Sequence, residues 1–293
     1  MNKMEFGFFQ VRINDMRKPV FFFVVIFVLS AVGWSIPGYT QEPAHTTNNT
    51  HSGLFGQASS FSGQIATDRP SFSLSAGTVP KGRVQFETGY TFSFDDTRSN
   101  TTTHTFPETL VRIGLSDTFE MRLEWPTQTY INSRTKINGL RDLAVGFKTQ
   151  VFQQQGWRPQ LSIAGRLFIP TGNKRLSSNH VDPELQTILS YVLNERFSLF
   201  GNVNIAGTGS QNKRFAQFSS SLGLSVNLQD SLSGFIEYFG LYPIAADTHS
   251  THFLQTGIIH QLTYHLQLDA RVGAGLNRGT DDIFTGAGIS WRF

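Results

Sequence analysis

His249 and His252, three residues apart with Asp247 close by, are spaced like metal ligands. A closed tetrahedral site needs more ligands than two, and no third one is in view, so a solvated loop is the simpler reading and no metal site is assigned. His260 and His265 could act as general bases, as in a membrane lipase. A hydrolase needs its nucleophile within hydrogen-bond reach of the base, and neither histidine has a companion serine at an obvious cross-strand position. No catalytic residue is assigned. The chain has no cysteine, which removes thiol nucleophiles, thiolate metal sites and disulfides. It contains no phosphate loop, dinucleotide fingerprint or HExxH helix, and no cofactor is expected.

What remains are charged residues in alternating segments, namely Glu87, Glu108, Arg112, Glu120, Arg122, Glu124, Lys148, Arg166, Glu237, Asp269, Arg271 and Arg292, and an Asp68-Arg69-Pro70 element ahead of them. In Phe119–Trp125 every odd residue is apolar and every even one charged. A period of two places Phe119, Met121, Leu123 and Trp125 on one face of a strand and Glu120, Arg122 and Glu124 on the other. The same alternation carries Lys148 and Arg166 on polar faces. It also sets Ile289, Trp291 and Phe293 opposite Ser290 and Arg292.

Twelve strands are predicted, over about 82–95, 104–115, 118–128, 140–152, 159–169, 183–193, 197–207, 214–228, 232–242, 251–261, 266–277 and 283–293. Short turns alternate with longer loops, and both chain ends fall on the short-turn side. An even number of strands of about ten residues with this asymmetry describes an antiparallel up-and-down barrel of the outer membrane, although ten or fourteen strands stay open. Hydrocarbon cannot satisfy an open sheet edge, so the sheet must close and turn its apolar face outward. The charges then face the lumen. A soluble sandwich or lipocalin-like barrel would reverse the two faces. Aromatic residues near strand ends (Phe92, Phe94, Trp125, Tyr130, Tyr191, Tyr242 and Trp291) favour the membrane, and many of the 27 phenylalanines are expected in an outward belt.

Composition agrees. Charged residues make up 15% and hydrophobic ones 39%, both low for a soluble domain. The net charge of +3 comes from 24 basic and 21 acidic residues, too balanced for a nucleic-acid partner. Arg17-Lys18-Pro19 precedes the apolar run Val20–Val32 and a small-residue exit, so residues 1–40 read as a secretory signal peptide rather than an anchor helix. Residues 41–80 are polar and turn-prone, a flexible N-terminal segment or plug, and residues 81–293 form the barrel.

Two roles are open for the charges. Opposite charges on neighbouring strands could satisfy one another, Arg112 with Glu120 or Glu124, and Asp269 or Arg271 with Arg292 and Glu237. Alternatively they line a pore, where their mixed signs argue against strong ion selection. Asp68 and Arg69 could fold back onto luminal charges as a plug, or cap the first strand from the periplasm.

Ile65-Ala66-Thr67-Asp68-Arg69-Pro70, Val79-Pro80-Lys81-Gly82, Gln85–Tyr90, Phe106-Pro107-Glu108, Arg112–Leu115, Pro170-Thr171-Gly172, Glu237–Gly240, Leu266–Asp269 and the ending Gly286–Phe293 resemble a bacterial transporter-like family associated with the meta-pathway of phenol degradation. The resemblance covers roughly residues 65–293. It implies an outer-membrane channel or uptake protein, sometimes linked to aromatic compounds. Trp291 and Phe293 resemble the C-terminal signal read by the barrel assembly machinery. The expected partners are thus outer-membrane lipid, that machinery and a small-molecule solute. The expected function is passive uptake of small solutes, hydrophobic or aromatic ones among them, by a monomer or weak oligomer. The alternatives are a structural or surface-interaction barrel and, less favoured, an outer-membrane lipase.

Overall fold

The structure, a computed structural model, describes residues 63–96, 100–210, 213–244, 249–277 and 280–293. The signal peptide expected over 1–40 and the tail over 41–62 lie outside the described residues. Fifteen strand segments follow one another: β1 (Val84–Asp95), β2 (Thr101–Phe106), β3 (Thr109–Ser116), β4 (Phe119–Trp125), β5 (Gln128–Asn132), β6 (Ile137–Leu140), β7 (Leu143–Phe152), β8 (Gln160–Ile169), β9 (Asp182–Val192), β10 (Phe197–Ser210), β11 (Lys213–Gln229), β12 (Leu232–Ile244), β13 (Thr251–Thr263), β14 (Leu266–Gly275) and β15 (Ile283–Arg292). They make twelve staves, because three staves are each broken in two, as β2 with β3, β4 with β5, and β6 with β7. All neighbours are antiparallel, and β15 pairs with β1 from Gln85↔Arg292 to Phe94↔Ile283, which closes the barrel. Closure removes the sheet edge that lipid could not satisfy.

The alternation sets the two faces as the sequence requires. Met121, Trp125, Ile289, Trp291 and Phe293 are exposed on the outside, whereas Glu120, Arg122, Ser290 and Arg292 are buried within. Other outward residues such as Leu222, Leu185, Val203 and Leu199 extend the apolar surface around the barrel, the surface a lipid-facing barrel needs.

The breaks occur at one level in three adjacent staves, at Pro107-Glu108, Pro126-Thr127 and Arg141-Asp142. On β1, Glu87 pairs with Leu110 and Thr91 with Thr105, so the second stave uses five residue steps where β1 uses four. The third and fourth staves keep the same five-step spacing, in Leu110↔Glu124 with Thr105↔Thr129, and Glu124↔Ala144 with Thr129↔Gly139. An extra residue bends a strand and re-aims its side chains, and proline there has no N–H to give the ladder. Three in register form a crease across the wall. Above it, the expected loop Thr129–Gly139 folds largely as the β5–β6 hairpin, and Trp125 ends β4 at the crease. No strand pairs with the far side of β6. Residues of the loop after β8 cover it: the Asn173 N–H donates to the Leu140 carbonyl at 2.8 Å, the Gly172 N–H to Asp142 Oδ1 at 2.9 Å, and Thr171 Oγ1 accepts from the Leu143 N–H at 3.0 Å.

Candidate functional site

Residues 63–80 form no helix or strand, and they lie inside the barrel. A chain without regular structure must still satisfy its buried N–H and C=O groups, and here the inward side chains of the wall do so. Ascending, the Ile65 N–H donates to the Tyr264 carbonyl at 3.0 Å. The Ala66 carbonyl accepts from Gln85 Nε2 and Arg112 Nη1, both at 2.9 Å, and Glu87 accepts the N–H groups of Asp68 and Arg69 at 3.0 and 3.2 Å. At the apex Glu237 takes the N–H groups of Phe72 and Ser73 at 2.8 and 2.9 Å and the Ser73 hydroxyl at 2.5 Å, while Arg271 Nη1 donates to the Pro70 carbonyl at 2.9 Å. Descending, Lys148 donates to the Ser75 carbonyl, Gln160 and Ser162 to that of Ala76, and Arg112 to that of Gly77. The Val79 N–H donates to Glu120 at 2.7 Å. Both limbs end at the short-turn rim, Ile65 against the β13–β14 turn and Thr78 against Asp117 of the β3–β4 turn.

Six charges meet at the base of this segment. Arg112 contacts Glu87 and Glu120 at 2.9 Å, Arg122 contacts Asp68 at 2.6 Å and Glu120 at 2.8 Å, and Lys148 lies 3.2 Å from Asp68. Three cations face three carboxylates, and Asp68 is the one supplied by the inner segment. Buried charges persist only when paired and hydrogen-bonded, so the wall without Asp68 would hold an uncompensated positive charge. Burial pushes the Asp68 carboxyl upward, but Arg112, Arg122 and Lys148 outweigh it and hold the group below the ordinary carboxylate range. Asp68 Oδ1 also accepts the Ser75 N–H at 2.8 Å, tying the two limbs together.

Arg69 lies 3.0 Å from Glu108 and 3.5 Å from Asp269, and donates to the Ala287 carbonyl at 3.1 Å. Its guanidinium occupies a notch left by two facing glycines, Gly89 and Gly288, where an added Cβ would overlap it. Here the absence of a side chain is what makes the close approach possible. On β12, β13 and β15 the lumen is aromatic. Phe72 stacks on Phe239 with ring centroids 4.4 Å apart, Phe239 stacks on Phe253 at 4.7 Å, and Phe284 meets both edge-on. Lower down, Phe200, Phe235 and Ile259 form a second inward cluster.

A cavity of about 1100 Å³ ends on Asp68, Arg69, Ser71, Phe72 and Leu74 and reaches to the loop residues Arg175, Leu176, Ser177 and Ser178. Of the residues expected to line a pore, Glu87, Glu108, Arg122, Glu124, Arg166 and Arg271 border it. Arg112, Glu120, Lys148 and Glu237 are fully buried against the inner segment instead. Two suggested cross-strand pairings do not form. Asp269 meets Arg69, Arg271 donates to Pro70 and Thr91, Glu237 serves the inner segment and Gln255, and Arg292 donates to the Gly63 carbonyl. Register keeps the suggested partners apart: Asp269 stands opposite Gly288 and Arg271 opposite Gly286 rather than Arg292, and β13 lies between β14 and the β12 strand that carries Glu237. Arg112 with Glu120 does form as expected. Sequence reasoning missed the inward phenylalanines, although Phe239 shares a strand face with Glu237, and it missed the glycine notch.

His252 Nδ1 lies 2.6 Å from the Tyr238 hydroxyl on the outer surface, and His265 Nδ1 lies 3.4 Å from Arg292 Nη2. Among the described residues no group of three metal-ligating side chains comes together.

No curated protein matches the sequence. Among solved structures, the barrel is similar to the COG4313 outer membrane channel from Pseudomonas putida F1, 15% identical, with a TM-score of 0.60 over 74% of this chain and 98% of that one. It also matches the NanC porin, 10% identical, at 0.49 over 71% and 98%, and the KdgM porin, 10% identical, at 0.47 over 71% and 99%. The closed twelve-stave barrel with its apolar exterior is an outer-membrane fold. With residues 67–293 matched by the model of the family described as "Putative MetA-pathway of phenol degradation", the chain belongs to that family of outer-membrane barrels.

Proposed function

We propose that the chain is a passive outer-membrane channel for small solutes, hydrophobic or aromatic ones among them, and that residues 63–80 are its plug. One observation carries this reading: the luminal cavity ends on a segment that enters and leaves at the short-turn rim and is held by side chains rather than by a ladder. Irregular backbone is tolerated at membrane depth where it lies inside protein or lines a cavity. A wall whose inward groups serve a removable segment is organised for opening, whereas a purely structural barrel would fill its interior with its own strands' side chains.

Removing residues 66–78 and measuring liposome swelling with a panel of small solutes tests the reading. Entry of solutes through the shortened protein, with slower or no entry through the full chain, is expected. A correctly inserted barrel that admits nothing even after the deletion would instead support a structural or surface-interaction role. In the same reading Trp291 and Phe293, outward and packed edge to face with centroids 5.1 Å apart, are the surface met by the barrel assembly machinery. Deleting Phe293 is expected to lower the yield of heat-modifiable protein in the outer membrane.

A further inference from the structure

Charges of both signs border the luminal cavity, but pairing divides them unequally. Most of the carboxylates are ion-paired, and Asp142, next to Arg141, is held among the described residues by a backbone N–H alone. Glu108 accepts from Arg69 at 3.0 Å and Thr105 at 2.8 Å, Glu124 and Glu184 share Arg166 at 2.7 and 2.5 Å, Asp182 lies 3.4 Å from Arg214, and Asp142 takes the Gly172 N–H. Three bordering guanidinium groups, those of Arg141, Arg175 and Arg271, are in no ion pair among the described residues. Arg141 stands at the crease. Its Nε is fixed 3.1 Å from the Oγ1 of buried Thr129, and its two terminal nitrogens bond to no described residue. Arg175 belongs to the loop that covers the same edge, where its backbone N–H donates to Asn173 Oδ1 at 2.9 Å. On the far wall Arg271 uses Nη1 on the plug at Pro70 and Nη2 on Thr91, and its buried Nε has no hydrogen-bond partner.

A guanidinium anchored through Nε with its terminal pair free presents two parallel N–H donors, the geometry that takes both oxygens of one carboxylate. Phe72, Leu74, Phe168, Leu176 and Leu241 border the same cavity and offer an apolar surface for the rest of such a molecule. We propose that the cavity binds a small monocarboxylate with an apolar body, its carboxylate held by Arg141 with Arg175 alongside and its body resting toward Phe72. This deepens the channel reading and rests on it for the claim that the bound solute is cargo. Because Arg271 holds the plug at Pro70, a carboxylate reaching it competes with that carbonyl, which links occupancy to loosening of the plug's apex.

The test uses the refolded full-length barrel in detergent and three probes with one ring and different charge: benzoate, benzyl alcohol and benzylamine. Calorimetry is expected to show benzoate binding about tenfold more tightly than benzyl alcohol, the scale of one charge-assisted contact, with benzylamine weakest. Arg141→Gln is expected to remove that preference, and Arg141→Lys to restore only part of it, because an ammonium cannot make the bidentate contact. Equal affinity for the three probes, preference for benzylamine, no binding, or a benzoate preference untouched by Arg141→Gln would overturn the proposal. Each variant must keep the heat-modifiable mobility of the folded barrel. Benzoate binding that depends on Arg141 in a barrel that never passes solute in the swelling assay would leave the site standing and overturn the channel reading, so the two failures are distinguishable.

Discussion

The two sides of the barrel interior hold the inner segment by different physics. On the wall built from β1, β3, β4 and β7, five charges pair with one another and with Asp68 to grip both limbs at their base, and almost every contact is directional. On the wall built from β12 to β15, the apex rests on stacked rings, with Glu237 and Arg271 as its charged anchors among the described residues. A charge cluster tolerates no partial loss, because removing one member leaves the others uncompensated in a poor solvent. Stacked rings lose affinity in small steps as they slide. The base is therefore a latch and the apex a bearing, and the proposed opening is expected to begin by lifting the apex rather than by freeing the base.

Asp68→Asn attacks the latch and is expected to have the largest effect. It leaves one cation of the cluster unmatched and should weaken docking of the segment by about 3–5 kcal/mol. The chain has no cysteine, so Ser73→Cys gives a background-free reporter, and faster thiol labelling in the Asp68→Asn background checks the prediction. Labelling as slow as with Asp68 present would show that the cluster is not what holds the segment.

Gly89→Ala combined with Gly288→Ala closes the notch and displaces the Arg69 guanidinium from Glu108, Asp269 and the Ala287 carbonyl. Overpacking of this kind costs about 1–3 kcal/mol, again read by labelling at position 73. Phe72→Leu keeps the bulk of the apex and removes the stack on Phe239, worth about 0.5–1.5 kcal/mol beyond area. It should raise the frequency of brief conductance openings without changing thermal stability of the barrel. An effect as large as that of Asp68→Asn would erase the distinction between latch and bearing.

The smallest effect is expected from acid. Asp68 titrates below the ordinary carboxylate range, so its contribution is present above that range and is lost only as pH falls through its lowered value. Conductance should therefore be the same at pH 7 and at about pH 4.5, where exposed carboxylates begin to protonate. Opening within that window would show that the latch yields to groups other than Asp68.

Local pattern made the barrel legible, and non-local chemistry hid what fills it. Phe119–Trp125 alternates because one face meets lipid, and twelve such segments with short turns on one side imply closure between β1 and β15. Pro107 and Pro126, residues that do not belong inside a stave, mark the crease, although the predicted strands 104–115 and 118–128 run through both. Inward phenylalanines were harder to see, since Phe239, Phe253 and Phe284 look like belt residues until each is phased against a neighbour such as Glu237. The partners of Asp68 and Arg69 lie up to 218 positions away, and no spacing rule connects Asp68 to Arg122, or Arg69 to a gap between Gly89 and Gly288. Nor could sequence tell that Asp269 and Arg271 would turn toward the inner segment rather than toward Arg292 and Glu237.

The wall recognises residues 65–79 largely through amides and carbonyls, with the side chains of Thr67, Asp68, Arg69, Phe72, Ser73 and Thr78 as the exceptions. Substitution at Ala66, Ser75 or Ala76, whose backbone groups are what the wall binds, is therefore buffered as far as hydrogen bonding goes, while an insertion or deletion of one residue shifts every later amide out of phase with its receptor. In this part of the molecule the hydrogen-bond pattern constrains chain length more closely than composition.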